Sequence, residues 1–387
     1  MGALDAEASP HRNLPHARTT PGAGSLPPMR SKSLRAVSSL LVSVALSAGI
    51  VAPAAAGPPG HGPGFDLQAH RGGIAHYPEG TLPAFANAMR IGVTTLELDV
   101  QITADGREVV THDRQIKPGK CLDTAPAFPG DPQFPYAGSY VKDLTFAQVR
   151  TLDCGSRTHP DYPEQQPAPG ARMPTLREVF ALVRACRAHD VRFNIETKVE
   201  AAAPHETAPR EQFVRVVAEQ VRQAGMLGRV TVQSFDWGAL RLMRRVEPWL
   251  PVVALTEPKF LEVGEPGASP WLGGLDIDDF GGSPVRAVRT FGAAALSPLH
   301  GEPQGGAVGD PGYVPFTTPA LVEEAHRAGL AVVPWTVNDE ATMNALIDMG
   351  VDGLITDYPA RLRRLLEAGG VPVAEPVRDC EQPASGA

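Results

Sequence analysis

The stretch FDLQAHRGGIAHYPEGTLPAFANAMRIG, residues 65–92, holds a strand, a polar loop and a helix in succession, and that unit sets the fold class. The apolar run at 65–70 has strand character. Thr81 stands in the helix N-cap position, an amphipathic stretch follows, and Gly92 falls where a helix commonly ends. The loop between them presents His70, Arg71, two glycines and Glu79. An imidazole and a guanidinium at the C-terminal end of a strand suit an anionic ligand, and Gly72 and Gly73 would let the backbone come close to it.

Working outward, the same alternation recurs. Further strands are expected at 95–103, 108–112, 192–197, 229–234, 251–255, 293–297, 331–337 and 353–356. Most are separated by amphipathic stretches such as TLREVFALVRACRAHD, REQFVRVVAEQVRQAG, TPALVEEAHRAG and DEATMNALIDMG. Strands alternating with helices imply parallel βα units. About eight such units in about 300 residues favour an α/β fold of the TIM (β/α)8 barrel type over an open doubly wound sheet. No GxGxxG follows any strand, which weakens a dinucleotide-binding reading. Residues 117–173 are too long for an ordinary loop and form a Pro/Gly-rich insertion after an early strand, a small subdomain or lid. Residues 258–291 are irregular.

Residues 29–56 have the order of a signal peptide. Arg30, Lys32 and Arg35 precede an apolar run, and Ala54, Ala55 and Ala56 offer a cleavage site near Ala56. A retained membrane anchor is the competing reading, but the run is short and rich in small residues, so no stable membrane span is expected. With the preceding extension, residues 1–56 are set apart from the fold, and the remainder is expected to be secreted or extracytoplasmic. The full chain of 387 residues carries a formal charge of −8, and residues 1–56 hold five basic residues against two acids, so the remainder carries −11. A body that acidic repels nucleic acid and anionic lipid surfaces, so an anionic substrate needs a local cationic site. Export permits disulfides. Cys121 and Cys154 bracket the insertion, so a bridge closing it is expected; Cys186 and Cys380 either pair or leave Cys186 a buried thiol. No CxxC spacing argues for a cysteine metal site.

Chemistry in such a barrel sits at the C-terminal ends of strands. TLELDVQIT places Glu97 and Asp99 two apart, hence on one face, with Leu96, Leu98 and Val100 on the other. Two like charges on an otherwise apolar strand call for a cation, although a solvated face or ordinary ion pairs would also accommodate them. FNIETKVE repeats the spacing with Glu196 and Lys198. A third carboxylate completes an oxygen-rich site suited to one divalent cation, Ca2+ or Mg2+, and Lys198 supplies a point charge for a phosphate oxygen. The plain alternative is a salt bridge between Glu196 and Lys198. EVVTHDRQI brings His112 and Asp113 to another strand end. His70 and His112 could then divide the proton transfers of a hydrolysis while Arg71 holds a phosphate. His76, His159 and His189 lack this placement and read as bystanders.

Taken in order, HRGGIAHYPEGTLPAF, ELDVQITADGREVVTHD, IETK, VQSF, PWTVN and GLITDYP resemble the glycerophosphodiester phosphodiesterases, over roughly residues 68–366 and interrupted by the insertion. The resemblance implies a barrel domain at 65–368 followed by a tail at 369–387. Its implied activity is hydrolysis of a small-molecule glycerophosphodiester to glycerol 3-phosphate and an alcohol with one divalent cation. It implies His70 and His112 as the catalytic pair and Glu97, Asp99 and Glu196 as metal ligands. Arg71 and Lys198 match phosphate-contacting bases, Trp335 an aromatic lining the glycerol pocket, and Gln233 a residue bordering the site. Glu79 is kept as a supporting residue, but Gly80 stands where the family usually has Asn, which would leave the loop looser if that side chain fixes it. A phospholipase D-like enzyme acting on intact or lyso-phospholipids is the alternative. It needs a lipid-facing apolar rim, for which the insertion offers Phe128, Phe134, Tyr136 and Tyr140. A non-catalytic barrel would have lost one of the five central residues, and none is lost. The sequence assigns no oligomeric state.

Overall fold

The computed structural model describes residues 64–378 and Cys380. The leader at 1–56 and most of the tail beyond 378 lie outside the described residues. The strands are β1 (Asp66–Ala69), β2 (Thr95–Ile102), β3 (Glu108–Val110), β4 (Arg192–Thr197), β5 (Val230–Ser234), β6 (Val252–Thr256), β7 (Ala295–Pro298), β8 (Gly301–Glu302), β9 (Val314–Pro315), β10 (Ala331–Val332) and β11 (Gly353–Thr356). The helices are α1 (Leu82–Ile91), α2 (Phe146–Val149), α3 (Leu176–Ala185), α4 (Arg210–Gln223), α5 (Trp237–Val246), α6 (Pro258–Leu261), α7 (Pro284–Arg289), α8 (Pro319–Arg327), α9 (Glu340–Asp348) and α10 (Pro359–Ala368).

Parallel pairing runs β10-β7-β6-β5-β4-β2-β1-β11. The ring closes between its two ends, where Asp352 N donates to Val332 O at 2.9 Å, Ile355 N to Pro334 O at 3.0 Å and Val337 N to Ile355 O at 2.9 Å. The result is the expected TIM barrel. Its strands are covered on both faces, which is why β2 is buried at every position. The outer faces of the strands meet the apolar stripes of the helices: in α3 the buried residues are Leu176, Val179, Phe180, Leu182 and Val183, one face at helical spacing. Caps set the helix starts. Thr81 accepts from Ala84 N at 3.3 Å, and Thr175 with Glu178 forms a full capping box on α3.

Two expectations are corrected. The strand expected at 108–112 ends at Val110 and lies antiparallel to β2, outside the barrel ring, because a tight turn at Gly106 (φ +78°) folds it back as a hairpin arm. The strand expected at 331–337 is regular only at Ala331–Val332. Pro334 has no N–H to give the ladder, yet Val333 and Trp335 still donate to β7 at 3.0 and 3.1 Å. The irregular region at 258–291 contains α6, α7 and short 3-10 turns.

The insertion leaves after β3 and returns at α3. It has its own small core, including Ile116, Tyr136, Val141, Leu144 and Leu152, and it is closed by a Cys121–Cys154 disulfide. A second disulfide joins Cys186 at the end of α3 to Cys380. No helix among the described residues is long and apolar enough to cross a membrane.

Candidate active site

Strand register assembles the acids. Asp99 on β2 lies beside Glu196 on β4, which lies beside Gln233 on β5, with Glu97 two residues back. All four point into the barrel, and Leu96, Leu98 and Val100 face the outer core, as period-two geometry requires. Carboxylate oxygens of Glu97, Asp99 and Glu196 come within 4.8 Å of one another in a buried setting. Burial, then the like charge of Asp99, pushes Glu97 well above its ordinary value. Burial likewise lifts Glu196 to about 7, against the pull of Lys198. Burial acts the same way on Asp99, but His112, Arg71 and Lys198 outweigh it and hold that carboxyl down. Asp99 Oδ1 is buried without a hydrogen-bond partner. An orphaned anionic oxygen between two crowded carboxylates is what a hard divalent cation would satisfy. The donor set fits such an ion.

Cations surround this cluster. Arg71 takes a left-handed conformation (φ +51°), rare for a side-chain-bearing residue, and its backbone N–H donates to Glu97 Oε2 at 2.8 Å. Its guanidinium donates to Glu79 Oε2 at 3.0 Å, and its Nε lies 3.2 Å from Asp99 Oδ2. Lys198 Nζ, just past β4, sits 2.9 Å from Glu196 Oε1 and 3.8 Å from Asp99 Oδ1. Glu79, His112 and Asp113 form a second close trio, but Lys120 fills it, its ammonium 2.8 Å from Glu79 and 2.6 Å from Asp113. The glycines of this loop serve its own packing. A Cβ on Gly72 would come within 2.9 Å of Ala84, and one on Gly73 within 2.9 Å of Pro359. Gly80 has φ +68° and donates to Arg71 O at 2.9 Å. Asn also tolerates that conformation, so glycine preserves the loop's path.

The two histidines face one cavity. His70 follows β1 directly, and its Nδ1 lies 2.6 Å from Asp357 Oδ1. His112 stands two residues beyond β3, with Nδ1 3.3 Å from Asp113 Oδ1. Burial, reinforced by the charges of Lys198 and Arg71, pushes the His112 imidazole well below its ordinary value.

The cavity measures about 500 Å3 and has His70, Arg71, His112, Glu196 and Lys198 in its lining. One wall is aromatic. Phe235 meets Trp335 edge-on at 5.1 Å and Phe260 at 5.3 Å, and Trp271 stacks on Phe260 at 4.2 Å. Trp335 is anchored by Nε1 to Ser297 O at 3.0 Å. Gln233 borders the cavity while its amide donates to Glu97 Oε1 at 2.8 Å and accepts from Asn194 at 2.7 Å, so it holds a carboxylate in place. Every residue the sequence singled out for the site is therefore near it. Of the four aromatics the insertion offers for an apolar rim, Tyr136 is in the insertion core and Phe134 packs on it, while Tyr140 borders the cavity and bonds Glu206 at 2.8 Å and Phe128 is 52% exposed. Sequence reasoning missed Asp357, Tyr162, Lys120 and Phe235. Asp357 lies in GLITDYP at the tip of β11, where the strand-end criterion could have found it.

Residues 70–361 match the model of the Glycerophosphoryl diester phosphodiesterase family. The chain is 28% identical over 302 residues to a glycerophosphodiester phosphodiesterase of Caldanaerobacter subterraneus, covering 78% of this chain and 98% of that one. It is 28% identical over 299 residues to a glycerophosphodiester phosphodiesterase of Bacillus subtilis, covering 75% and 83%. The crystal structure of a Silicibacter pomeroyi protein, provisionally assigned as a glycerophosphoryl diester phosphodiesterase, superposes with a TM-score of 0.66 at 31% identity, covering 82% and 98%.

Proposed function

The chain belongs to the glycerophosphoryl diester phosphodiesterase family and is a phosphodiester hydrolase acting on glycerophosphodiesters; from that premise we propose a metal-dependent reaction in which His70 and His112 share the proton transfers. The products are glycerol 3-phosphate and an alcohol. The observation that carries this reading is the buried trio Glu97, Asp99 and Glu196, with its orphaned oxygen, beside both histidines in one cavity. These three carboxylates would hold Ca2+ or Mg2+, which would act as a Lewis acid on the phosphodiester oxygens.

The chain's own groups do the rest. Arg71 and Lys198 bring positive charge to the same end of the cavity and stabilise the charge that builds on phosphorus-bound oxygens. One imidazole removes a proton from the attacking oxygen, of water or of a substrate hydroxyl whose cyclic phosphate water then opens, and the other returns one to the leaving alcohol as its bond to phosphorus breaks. Trp335 and Phe235 offer an apolar face to the glycerol carbons, while Glu79 fixes the Arg71 loop. The core position of Tyr136, with the half-buried Phe134 packed on it, favours a deacylated diester over an intact lipid. The leader, together with disulfides at all four cysteines, supports export to an oxidising compartment.

Treating the protein with EDTA and following glycerol 3-phosphate release from glycerophosphocholine tests the reading. Activity should vanish and return with Ca2+ or Mg2+; full activity in excess chelator overturns it.

A further inference from the structure

The insertion reaches the reaction centre through one side chain. Tyr162 lies 195 residues from Asp357 in the chain, yet its hydroxyl donates to Asp357 Oδ2 at 2.6 Å. The same oxygen accepts from Asn338 Nδ2 at 2.6 Å, while Oδ1 lies 2.6 Å from His70 Nδ1. Asn338 closes the arrangement by accepting from Asp357 N at 3.0 Å. Asp357 is only 3% exposed, so its oxygens depend on these partners for solvation.

The segment that carries Tyr162 is itself tied to the His70 loop. Gln165 Nε2 donates to Ile74 O at 2.6 Å, and Gln166 N donates to His76 O at 2.8 Å. The Tyr162 ring sits between His159 and Tyr358, with centroids 5.3 and 5.9 Å away.

An ionised carboxylate only accepts hydrogen bonds, so His70 Nδ1 carries the proton and the other ring nitrogen is left free for the cavity. Burial opposes the charge on Asp357, but His70, Tyr162 and Asn338 together hold its carboxyl below the ordinary value. A carboxylate bonded at one oxygen alone can rotate away from the imidazole. Two donors on the second oxygen prevent that.

We propose that Tyr162, on the inserted segment, is a positioning residue for His70, acting through Asp357. The insertion then completes the reaction centre as well as framing the cavity. This rests on the reading of His70 as a proton-transfer group in phosphodiester hydrolysis.

The test compares the disulfide-bonded parent with Tyr162→Phe, which removes the hydroxyl and keeps the ring. Two measurements are made: kcat and KM for glycerophosphocholine, and the 15N imidazole signals of His70, assigned by their loss in His70→Gln. The expected result is a kcat lower by on the order of tenfold, with KM nearly unchanged and the His70 Nδ1–H signal shifted. A kcat within about twofold of the parent, a loss carried by KM, or an unmoved His70 signal overturns the proposal. If the parent itself releases no glycerol 3-phosphate, the reading of function fails, and the spectrum alone decides whether Tyr162 positions His70.

Discussion

Asp99 and Glu196 lie directly across from each other on neighbouring parallel strands, and Asp99 Oδ1 is buried there with no hydrogen bond. Parallel register with side chains of equal parity brings two carboxylates to one level inside the barrel, where repulsion has no water to relieve it. Lys198 and Arg71 offset part of that charge from one side. The remaining unmet oxygen is the strongest structural argument for a cation.

Asp99→Asn should therefore weaken Ca2+ or Mg2+ binding more than it weakens folding. Replacing an outer partner of a metal ligand typically costs 10–100-fold, so losing a ligand oxygen should cost at least about 100-fold in affinity and activity. Calorimetric titration of the chelator-stripped variant checks this, with circular dichroism to confirm the fold. Parent-like affinity would remove Asp99 from the ligand set.

Cation affinity should also depend on pH. Glu196 is lifted to about 7, and Glu97 lies well above the ordinary carboxyl range. With Glu196 lifted to about 7, protons compete with a cation for the cluster near neutral pH. Affinity should thus fall as pH drops below about 7, by up to about tenfold per pH unit for each proton released. Titrations in two buffers of different ionisation enthalpy would count those protons, and a flat profile between pH 6 and 8 would contradict the repulsion argued here.

His70→Ala and His112→Ala should each lower the rate of glycerol 3-phosphate release by roughly 10²–10⁴-fold, the range for a general acid or base. A residue whose replacement leaves the rate within about tenfold plays no proton-transfer part. Both side chains border the cavity, so circular dichroism should show neither variant unfolded.

Much of this was legible in the chain. TLELDVQIT reads correctly because charges spaced two apart on an apolar strand have few explanations, and FNIETKVE repeats the pattern. Thr81 and Thr175 mark helix starts through local chemistry that needs no tertiary context. The misses share a different cause. The shortened β10 follows from Pro334 within an apolar run that otherwise looks like one strand. Phe235 and Trp271 form one wall only after the barrel has closed. Tyr162 and Asp357 meet across 195 residues, and Tyr162 sits in a segment without periodicity. Nothing local records such a contact.

Glu79 should make a measurable contribution to acid stability. Burial alone would raise its carboxyl, but Arg71 and Lys120 pull it down to about 2. The folded value lies below the unfolded one, so the stabilisation is complete above about pH 4.5 and is lost as pH falls from there toward about 2. Integrated over that shift, the contribution is at most roughly 3 kcal/mol. Glu79→Gln keeps the shape but leaves Arg71 and Lys120 without their shared partner. Its deficit against the parent should be largest near neutral pH and close toward pH 2. Urea denaturation of parent and variant at pH 7, 4 and 2.5 measures that convergence directly, and a deficit that stays constant across the series would show that Glu79 acts through packing alone.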